Sequence, residues 1–300
     1  MMTIQKTFVE STIFFFLCIA LFLSCRTGSG KKTAQIEGDI QFYRQEIFVP
    51  LWNKDELKTA VPAGVKNPSL YITLSLPRVN GKATEKDKKL EAFFEDLFYQ
   101  GMDPKDYAKE QIRVKTLEYR DIKEQIRDQD DRISSDTLNW YYEEKFEVEM
   151  SSPGFLVLSR NWADYTGGAH GNYGKKYFVL NRETAELISL TDIVKDEFRE
   201  ALEKKLNREL RKNWELEGGD SLEEYGFFTN QVELTENFFL TSKGLGFHWD
   251  PYEIAPYAMG FVEIVIPYGR IGDILNPLGH SLARELGAET SEVVSGVSFL

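Results

Sequence analysis

Cysteine is nearly absent from this sequence. The only two, Cys18 and Cys25, both lie within the first 25 of 300 residues. The chain after residue 25 therefore forms no disulfide within itself and has no thiol nucleophile. Its stability must come from a hydrophobic core, for which a length of about 275 residues is ample.

Histidine is scarce as well, and the usual catalytic motifs are missing. None of His170, His248 and His280 stands in an HExxH motif, and the sequence has neither a CxxC pair nor a GxSxG elbow. We therefore expect no metal, no cofactor and no catalytic residue. A site using His170, His248 and a carboxylate such as Asp164 or Asp250 stays an open alternative, as does a carboxylate pair for glycoside hydrolysis.

Long hydrophobic runs are also lacking. The apolar stretch from Thr12 to Leu23 covers roughly 12 residues, whereas a membrane-spanning helix needs about 20. Glu10 blocks its extension upstream, because a carboxylate is costly in hydrocarbon. With Lys6 in front, this short run predicts a signal peptide over residues 1–24 rather than a membrane span.

The end of that run, Phe22-Leu23-Ser24-Cys25, resembles the lipobox of bacterial lipoproteins, although the usual leucine three positions before the cysteine is Phe22 here. The resemblance implies cleavage before Cys25, a lipid on its thiol and a lipidated tether over residues 25–38. The protein would then lie outside the cytoplasm, anchored to a bacterial cell membrane, with inner and outer membranes both open. An ordinary cleaved signal peptide that happens to contain Cys25 is the alternative.

Basic residues are fewer than acidic ones, with 36 lysines and arginines against 48 aspartates and glutamates. The formal net charge is −12. This balance excludes nucleic acid as an expected partner, because phosphate backbones are bound by basic surfaces. It favours a basic partner through electrostatic steering, while solubility alone is an equally good explanation.

The pattern along the chain predicts an α+β protein with two mixed subdomains, mostly antiparallel sheets and helices packed on one face. An N-terminal domain is expected over residues 39–164. Its predicted elements are a strand at 69–76, a helix that begins at Thr84 with Asp87 in the capping-box position and stops at Gly101, a second helix between 104 and 129, and a hairpin over 146–158.

A C-terminal domain is expected over residues 165–275, followed by a partly disordered tail, 276–300, with a possible amphipathic turn around 282–286. Its predicted elements are short strands at 177–180 and 187–190, a helix capped by Asp196 and ended by Gly218-Gly219, a hairpin over 238–249, and a strand at 261–266.

Three strings in this second domain resemble one known family. They are Tyr165-Thr166-Gly167-Gly168-Ala169-His170-Gly171-Asn172, then Leu190-Thr191-Asp192-Ile193, then Phe239 to Leu245 running into Asp250 to Ala258. Together they resemble the RsiV-like extracytoplasmic domain, a family of unknown function. That domain occurs in a lysozyme-sensing anti-sigma factor, beside the catalytic domain of some peptidoglycan deacetylases, and in many lipoproteins. The resemblance implies a fold and a compartment but does not fix an activity.

Two segments are the candidate ligand-binding residues. The glycine-rich stretch permits positive φ and close backbone approach, and it can present side chains to a ligand; its candidates are Tyr165, Gly167, Gly168, His170, Asn172 and Tyr173. The segment Asp250 to Met259 is interrupted by two prolines, and Tyr252 and Tyr257 can form a stacking surface there. Each segment can equally be a structural loop.

These observations favour a non-catalytic envelope lipoprotein that binds or senses an extracytoplasmic ligand, either a lysozyme-like protein or a peptidoglycan glycan. A peptidoglycan-directed hydrolase or deacetylase is the main alternative, and a purely structural envelope component is another. A cluster of His170 with carboxylates around an open cleft would favour the enzyme. An exposed aromatic or acidic surface without such a cluster would favour binding.

Overall fold

The protein is α+β, as the sequence predicts. A computed structural model describes residues 36–37, 40–56, 66–81, 84–127, 135–217 and 219–287. Within these ranges the strands form a seven-stranded sheet and a three-stranded sheet. None of the helices in the described ranges combines the length and apolarity that a membrane crossing requires.

The seven-stranded sheet follows the order of the chain, and all of its pairs are antiparallel except β3 with β4. Two helices form the crossover between those parallel strands, as parallel pairing requires. The elements of this part are β1 (Ile36–Glu37), β2 (Ile40–Pro50), β3 (Ser69–Val79), α1 (Glu85–Tyr99), α2 (Pro104–Arg127), β4 (Trp140–Ser151), β5 (Phe155–Tyr165), β6 (Asn172–Asn181) and β7 (Glu186–Leu187).

The three-stranded sheet is antiparallel in the order β10-β9-β8. The remaining elements are α3 (Arg199–Asn213), β8 (Phe238–Leu240), β9 (Gly244–Trp249), β10 (Val262–Pro267) and α4 (Pro277–Glu285). The predicted hairpin over 238–249 is therefore confirmed.

Local sequence signals explain helix α1. Thr84 accepts a hydrogen bond from the amide of Asp87, and the Asp87 carboxylate accepts one from the amide of Thr84, so the predicted capping box is present. The helix ends where Gln100 adopts a left-handed conformation (φ 55°), one residue before the expected stop at Gly101. Its buried face carries Leu90, Phe94 and Phe98.

Two cores lie on opposite faces of the long sheet. On one face α1 and α2 cover the strands, and Phe98 packs its ring 4.6 Å from that of Phe146. On the other face, the β5–β6 half of the sheet packs against α3 and the small sheet, where the rings of Tyr177 and Phe239 stack at 4.3 Å. Asn237 ties the two sheets together, because its side chain accepts from the amide of Tyr177 (2.9 Å) and donates to the carbonyl of Lys175 (2.7 Å).

Two predicted boundaries in the C-terminal half are wrong. Asp196 lies in a short 3-10 helix rather than capping α3, whose N-cap is Phe198 without a side-chain hydrogen bond. The helix also ends at Asn213, before the Gly218-Gly219 pair. There Glu215 turns left-handed (φ 53°), and Trp214 packs against the ring of Phe227. The tertiary contact of Trp214 thus ends the helix earlier than the glycines would.

The strand predicted at 187–190 is shorter than expected, because only Glu186–Leu187 pair with β6. Ser189 instead caps a 3-10 turn at Leu190–Asp192 through a capping box with Asp192. The tail expected after residue 276 contains α4, which buries Leu282 and Ala283.

The division into domains at residue 165 stays a prediction, and β5 and β6 pair with each other on either side of it. The signal peptide, Cys25, most of the tether and residues 288–300 lie outside the described residues.

Candidate functional site

The two candidate loops lie against each other. The ring of His170, in the loop between β5 and β6, stacks on the ring of Tyr257, in the loop between β9 and β10, with centroids 4.1 Å apart and planes 25° apart. The Tyr257 hydroxyl donates to the carbonyl oxygen of Gly171 at 2.9 Å. Segments 86 positions apart in sequence are therefore joined at one place on the surface.

Further rings extend this contact into a continuous surface. The ring of Tyr173 lies 5.4 Å from that of Tyr257 and 5.0 Å from that of Phe261, and Tyr252 lies 5.7 Å from Tyr257. Tyr252 is 57% exposed and Phe261 is 40% exposed. We call His170, Tyr173, Tyr252, Tyr257 and Phe261 the aromatic platform. Burial, and secondarily the neighbouring Tyr257 and Asp250, raises the pKa of Tyr173, so its hydroxyl stays protonated at neutral pH.

Glycines shape the loop that carries His170. Gly167 and Gly168 have φ of 94° and 106°, in the left-handed region that suits glycine. The Tyr165 hydroxyl donates to the carbonyl of Gly168 at 3.0 Å and closes the turn. At Gly171, a Cβ atom would lie 2.5 Å from the Tyr141 hydroxyl and 2.7 Å from the backbone oxygen of Asp164.

We expect Gly171→Ala to disturb the platform. The added methyl group meets a backbone oxygen that cannot rotate away, so the loop must shift at a cost of about 1–3 kcal/mol of unfolding free energy. Urea unfolding monitored by circular dichroism measures this. Gly269→Ala is the matched control, because a Cβ there has nothing within 4 Å. Equal stabilities for the two variants would show that the close approach at Gly171 is unimportant.

A buried histidine lies next to the platform. His248 is fully buried; its Nδ1 lies 2.8 Å from Glu263 Oε1 and its Nε2 lies 2.9 Å from Asp250 Oδ1. A ring that faces acceptors at both nitrogens carries a proton on each, so His248 is an imidazolium. The Phe261 ring lies 4.8 Å from it, and the Tyr177 hydroxyl donates to Glu263 at 2.9 Å. We call His248, Asp250 and Glu263 the histidine–carboxylate triad.

The contacts within the triad shift the pKa values of His248 and Glu263. Burial is the largest effect on His248 and lowers its pKa, but the hydrogen bonds to Asp250 and Glu263 together outweigh it, so the pKa is raised. For Glu263, burial is the largest single effect and raises the pKa. The hydrogen bonds from His248 and Tyr177 together lower it by more, so the net change in the pKa is downward. Both shifts favour the ion-paired state.

The triad also fixes the start of the loop that carries Tyr252 and Tyr257. Asp250 accepts from the amide of Lys175 on β6 at 2.8 Å, and its own amide donates to Glu253 at 2.6 Å. A Cβ on Gly174 would lie 2.6 Å from Asp250 Oδ2, so the strand approaches this carboxylate closely. The triad therefore positions the loop that carries Tyr252 and Tyr257.

The ring nitrogens of His248 and the Nδ1 atom of His170 are occupied by contacts within the protein. Both nitrogens of His248 are engaged and buried, so the ring has no free position for proton transfer to a substrate. His170 contacts the Gly171 carbonyl through Nδ1 (2.9 Å) and Tyr257 through its face. Over the described ranges, no group of three histidine, cysteine, aspartate or glutamate residues could hold a metal ion.

The sequence-predicted site residues thus divide into three groups. The structure brings together His170, Tyr173, Tyr252 and Tyr257 as ring contacts, while Gly167, Gly168 and Tyr165 shape the loop. Asn172 contacts the base of the same loop, with its side-chain amide donating to Asp164 Oδ1 at 3.4 Å. Phe261 and the triad partner Glu263 were not among the sequence-predicted site residues, because both lie within the strand predicted at 261–266.

Two family models match the chain. Residues 191–269 match the model described as a protein of unknown function (DUF3298), and residues 64–173 match the model described as deacetylase PdaC. The first match lies within the predicted C-terminal domain. The likeness to RsiV itself stays a prediction. The comparison with curated proteins found no match.

Solved structures share the fold. A crystal structure of a DUF3298 family member from Bacteroides fragilis is 25% identical, with a TM-score of 0.69, covering 85% of this chain and 100% of that one. A DUF3298 family protein from Pseudomonas aeruginosa is 17% identical, with a TM-score of 0.53, covering 79% and 94%, and shows the fold alone. Together these similarities relate the chain to a domain family whose function is unknown.

Proposed function

We propose that this chain is a non-catalytic, lipid-anchored protein of the bacterial cell envelope that binds a basic, lysozyme-like protein on the aromatic platform. One observation carries the proposal. The stack of His170 on Tyr257 joins two distant segments and presents neighbouring exposed rings, which include Tyr252 at 57% exposure. Tyrosine is enriched among the residues that dominate binding energy in protein interfaces.

Charge supports a basic partner. The net charge of −12 favours steering of a cationic protein toward the chain. At the platform itself, Glu253 is exposed and Asp164 is half-buried beside the loop of His170. Acidic groups at the edge of an aromatic centre match the usual division of an interface into a desolvated core and a polar rim.

The setting is supported by the similarities. The resemblance to a domain of lysozyme-sensing proteins and peptidoglycan deacetylases, together with the match to a model described as a deacetylase, supports a peptidoglycan-related extracytoplasmic role. A catalytic role gains no support from the site, because the contacts of His170 are a ring and a backbone carbonyl rather than carboxylates.

Surface plasmon resonance with hen lysozyme over the captured protein tests the proposal. We expect reversible binding, with an association rate that falls between low and physiological salt, where the Debye length is about 8 Å. Absence of signal at tens of micromolar lysozyme in both conditions would contradict the lysozyme form. Binding of a peptidoglycan fragment at the platform would then become the leading version.

The anchor has its own test. If Cys25 carries the lipid, Cys25→Ser should abolish incorporation of an alkyne fatty acid and move the protein out of the detergent phase, because the acyl chains supply the membrane affinity. Metabolic labelling followed by phase separation reports both effects. Equal labelling of variant and wild type would contradict lipidation at Cys25.

A further inference from the structure

We propose that the open face of the seven-stranded sheet binds a linear glycan along a row of four aromatic side chains. In the strand register, Phe48 pairs with Tyr71, Tyr71 with Tyr141, and Tyr141 with Tyr165. Residues directly opposite on neighbouring strands point to the same face. These four residues, the aromatic row, therefore lie side by side across β2, β3, β4 and β5.

Three of the four side chains in the row are exposed, and the fourth, Tyr165, is half-buried. Phe48 is 64% exposed, Tyr71 42% and Tyr141 40%. Neighbouring strands are about 4.8 Å apart, so three steps between strands give the row a length of roughly 14 Å. Helices α1 and α2 cover the opposite face, where Leu70 and Ile72 are buried.

The rings are held in place before any ligand arrives. The Tyr71 hydroxyl donates to Glu46 Oε2 at 3.1 Å, and the rings of Tyr141 and Tyr165 stack at 6.2 Å with planes 22° apart. Side chains on paired strands are more rigid than those on loops. Little ordering entropy is therefore lost when a ligand binds there.

The narrow width of the row favours a linear glycan as its ligand. The next register positions on one side are Glu46, Thr73, Glu143 and Ala163, and those on the other side include Pro50 and Ser69; none of these is a large apolar residue. A protein interface needs a broad apolar centre with a polar rim, which a stripe one residue wide does not offer. Sugar rings have apolar faces and hydroxyl edges, so a linear glycan can stack on the row while its edges donate to the flanking carboxylates and hydroxyls.

A second copy of the chain fits this face poorly. Each copy carries a net charge of −12, so two copies repel each other before their faces can meet. The row consists of other residues than the platform, and the two surfaces meet where Tyr165 ends the row and Tyr141 lies beside Gly171 of the loop that carries His170. This inference goes beyond the protein-binding role proposed above and does not depend on it.

Calorimetric titration of the full chain in detergent with N-acetylglucosamine oligomers tests the inference. We expect affinity to rise from the monosaccharide to the hexamer, because successive sugars gain successive rings. Phe48→Ala and Tyr141→Ala should each weaken hexamer binding at least about tenfold. Tyr71→Phe should retain most of the affinity, because it keeps the ring. Leu117→Ala, which removes an exposed side chain from α2, should leave binding unchanged.

The outcomes separate the two proposals. Phe48 is so exposed that its replacement should leave the fold intact, which a thermal unfolding scan verifies. Loss of hexamer binding in Phe48→Ala with lysozyme binding retained supports a separate glycan surface. No hexamer binding by the wild type, or hexamer binding that is unchanged in both Phe48→Ala and Tyr141→Ala, would overturn it.

Discussion

Tyr257→Ala is expected to shorten the lifetime of a lysozyme complex by about 30-fold or more, which corresponds to 2 kcal/mol or more of binding free energy. The substitution removes the ring on which His170 stacks at 4.1 Å and the hydroxyl that donates to Gly171. It changes no charge, so the association rate should stay close to that of the wild type. Dissociation rates from surface plasmon resonance measure the effect.

Three variants control this prediction. Tyr257→Phe keeps the ring stack and loses only the hydrogen bond to Gly171, so its effect should be much smaller. Glu253→Gln removes a charge at the rim but keeps an oxygen that can accept from the Asp250 amide, so it should lower mainly the association rate. Leu117→Ala removes an exposed apolar side chain from α2 and should change neither rate. If the lysozyme complex of Tyr257→Ala dissociates at the wild-type rate, the platform is not part of the interface.

His248→Ala is expected to lower the unfolding free energy by about 3 kcal/mol. Removing one partner of a buried charged group leaves the other without compensation, and here two carboxylates would face each other across a cavity. Asp250 and Glu263 are partly exposed, with side chains 27% and 40% accessible, so water limits the cost to the lower end of the usual range. Urea unfolding gives the value. His170→Ala replaces an exposed side chain and leaves no carboxylate unpaired, so it should lower the unfolding free energy far less. Equal losses of unfolding free energy in the two variants would contradict the role of the triad.

The triad also predicts how stability depends on pH. Because the folded-state pKa of His248 is raised, its contribution is fully present below the ordinary value of 6.5 and is lost as pH rises through the raised pKa. Because the pKa of Glu263 is lowered, its contribution is present above the ordinary value of 4.5 and is lost as pH falls through the lowered pKa. The triad therefore contributes most between these ordinary values.

Urea unfolding at pH 6 and pH 9 checks the histidine part. The wild type should lose more stability over this interval than His248→Ala, which lacks the titrating group. An equal loss in both proteins would show that His248 is not an imidazolium in the folded state.

Local signals predicted the helices and hairpins well. The capping box of Thr84 with Asp87 and the apolar face of α1 depend on residues within a few positions of one another, and the structure confirms both. Strand β2 was not predicted. Beyond Phe42 its side chains alternate between half-buried and exposed, and it is a strand because it pairs along its whole length with β3. Such pairing is not visible in the segment alone.

The candidate site shows the same limit. Glycine density and clustered tyrosines indicated both loops, but nothing in the sequence indicated that His170 would stack on Tyr257. The triad was not predicted, because Glu263 lies within a predicted strand and is 15 positions from His248. Its role arises from the antiparallel register, which places Glu263 opposite His248. The aromatic row likewise arises from the register of four strands, which places Phe48 and Tyr165 on one face although they are 117 positions apart in sequence.

Hydrogen exchange with mass spectrometry, with and without hen lysozyme, tests the central claim most directly. Binding at the aromatic platform should slow exchange of the backbone amides in residues 166–173 and 250–261 together. The amides of α1 and α2 on the opposite face of the sheet should be unaffected. Protection confined to α1 and α2, or no protection at a lysozyme concentration that saturates the surface plasmon resonance signal, would contradict binding at the platform.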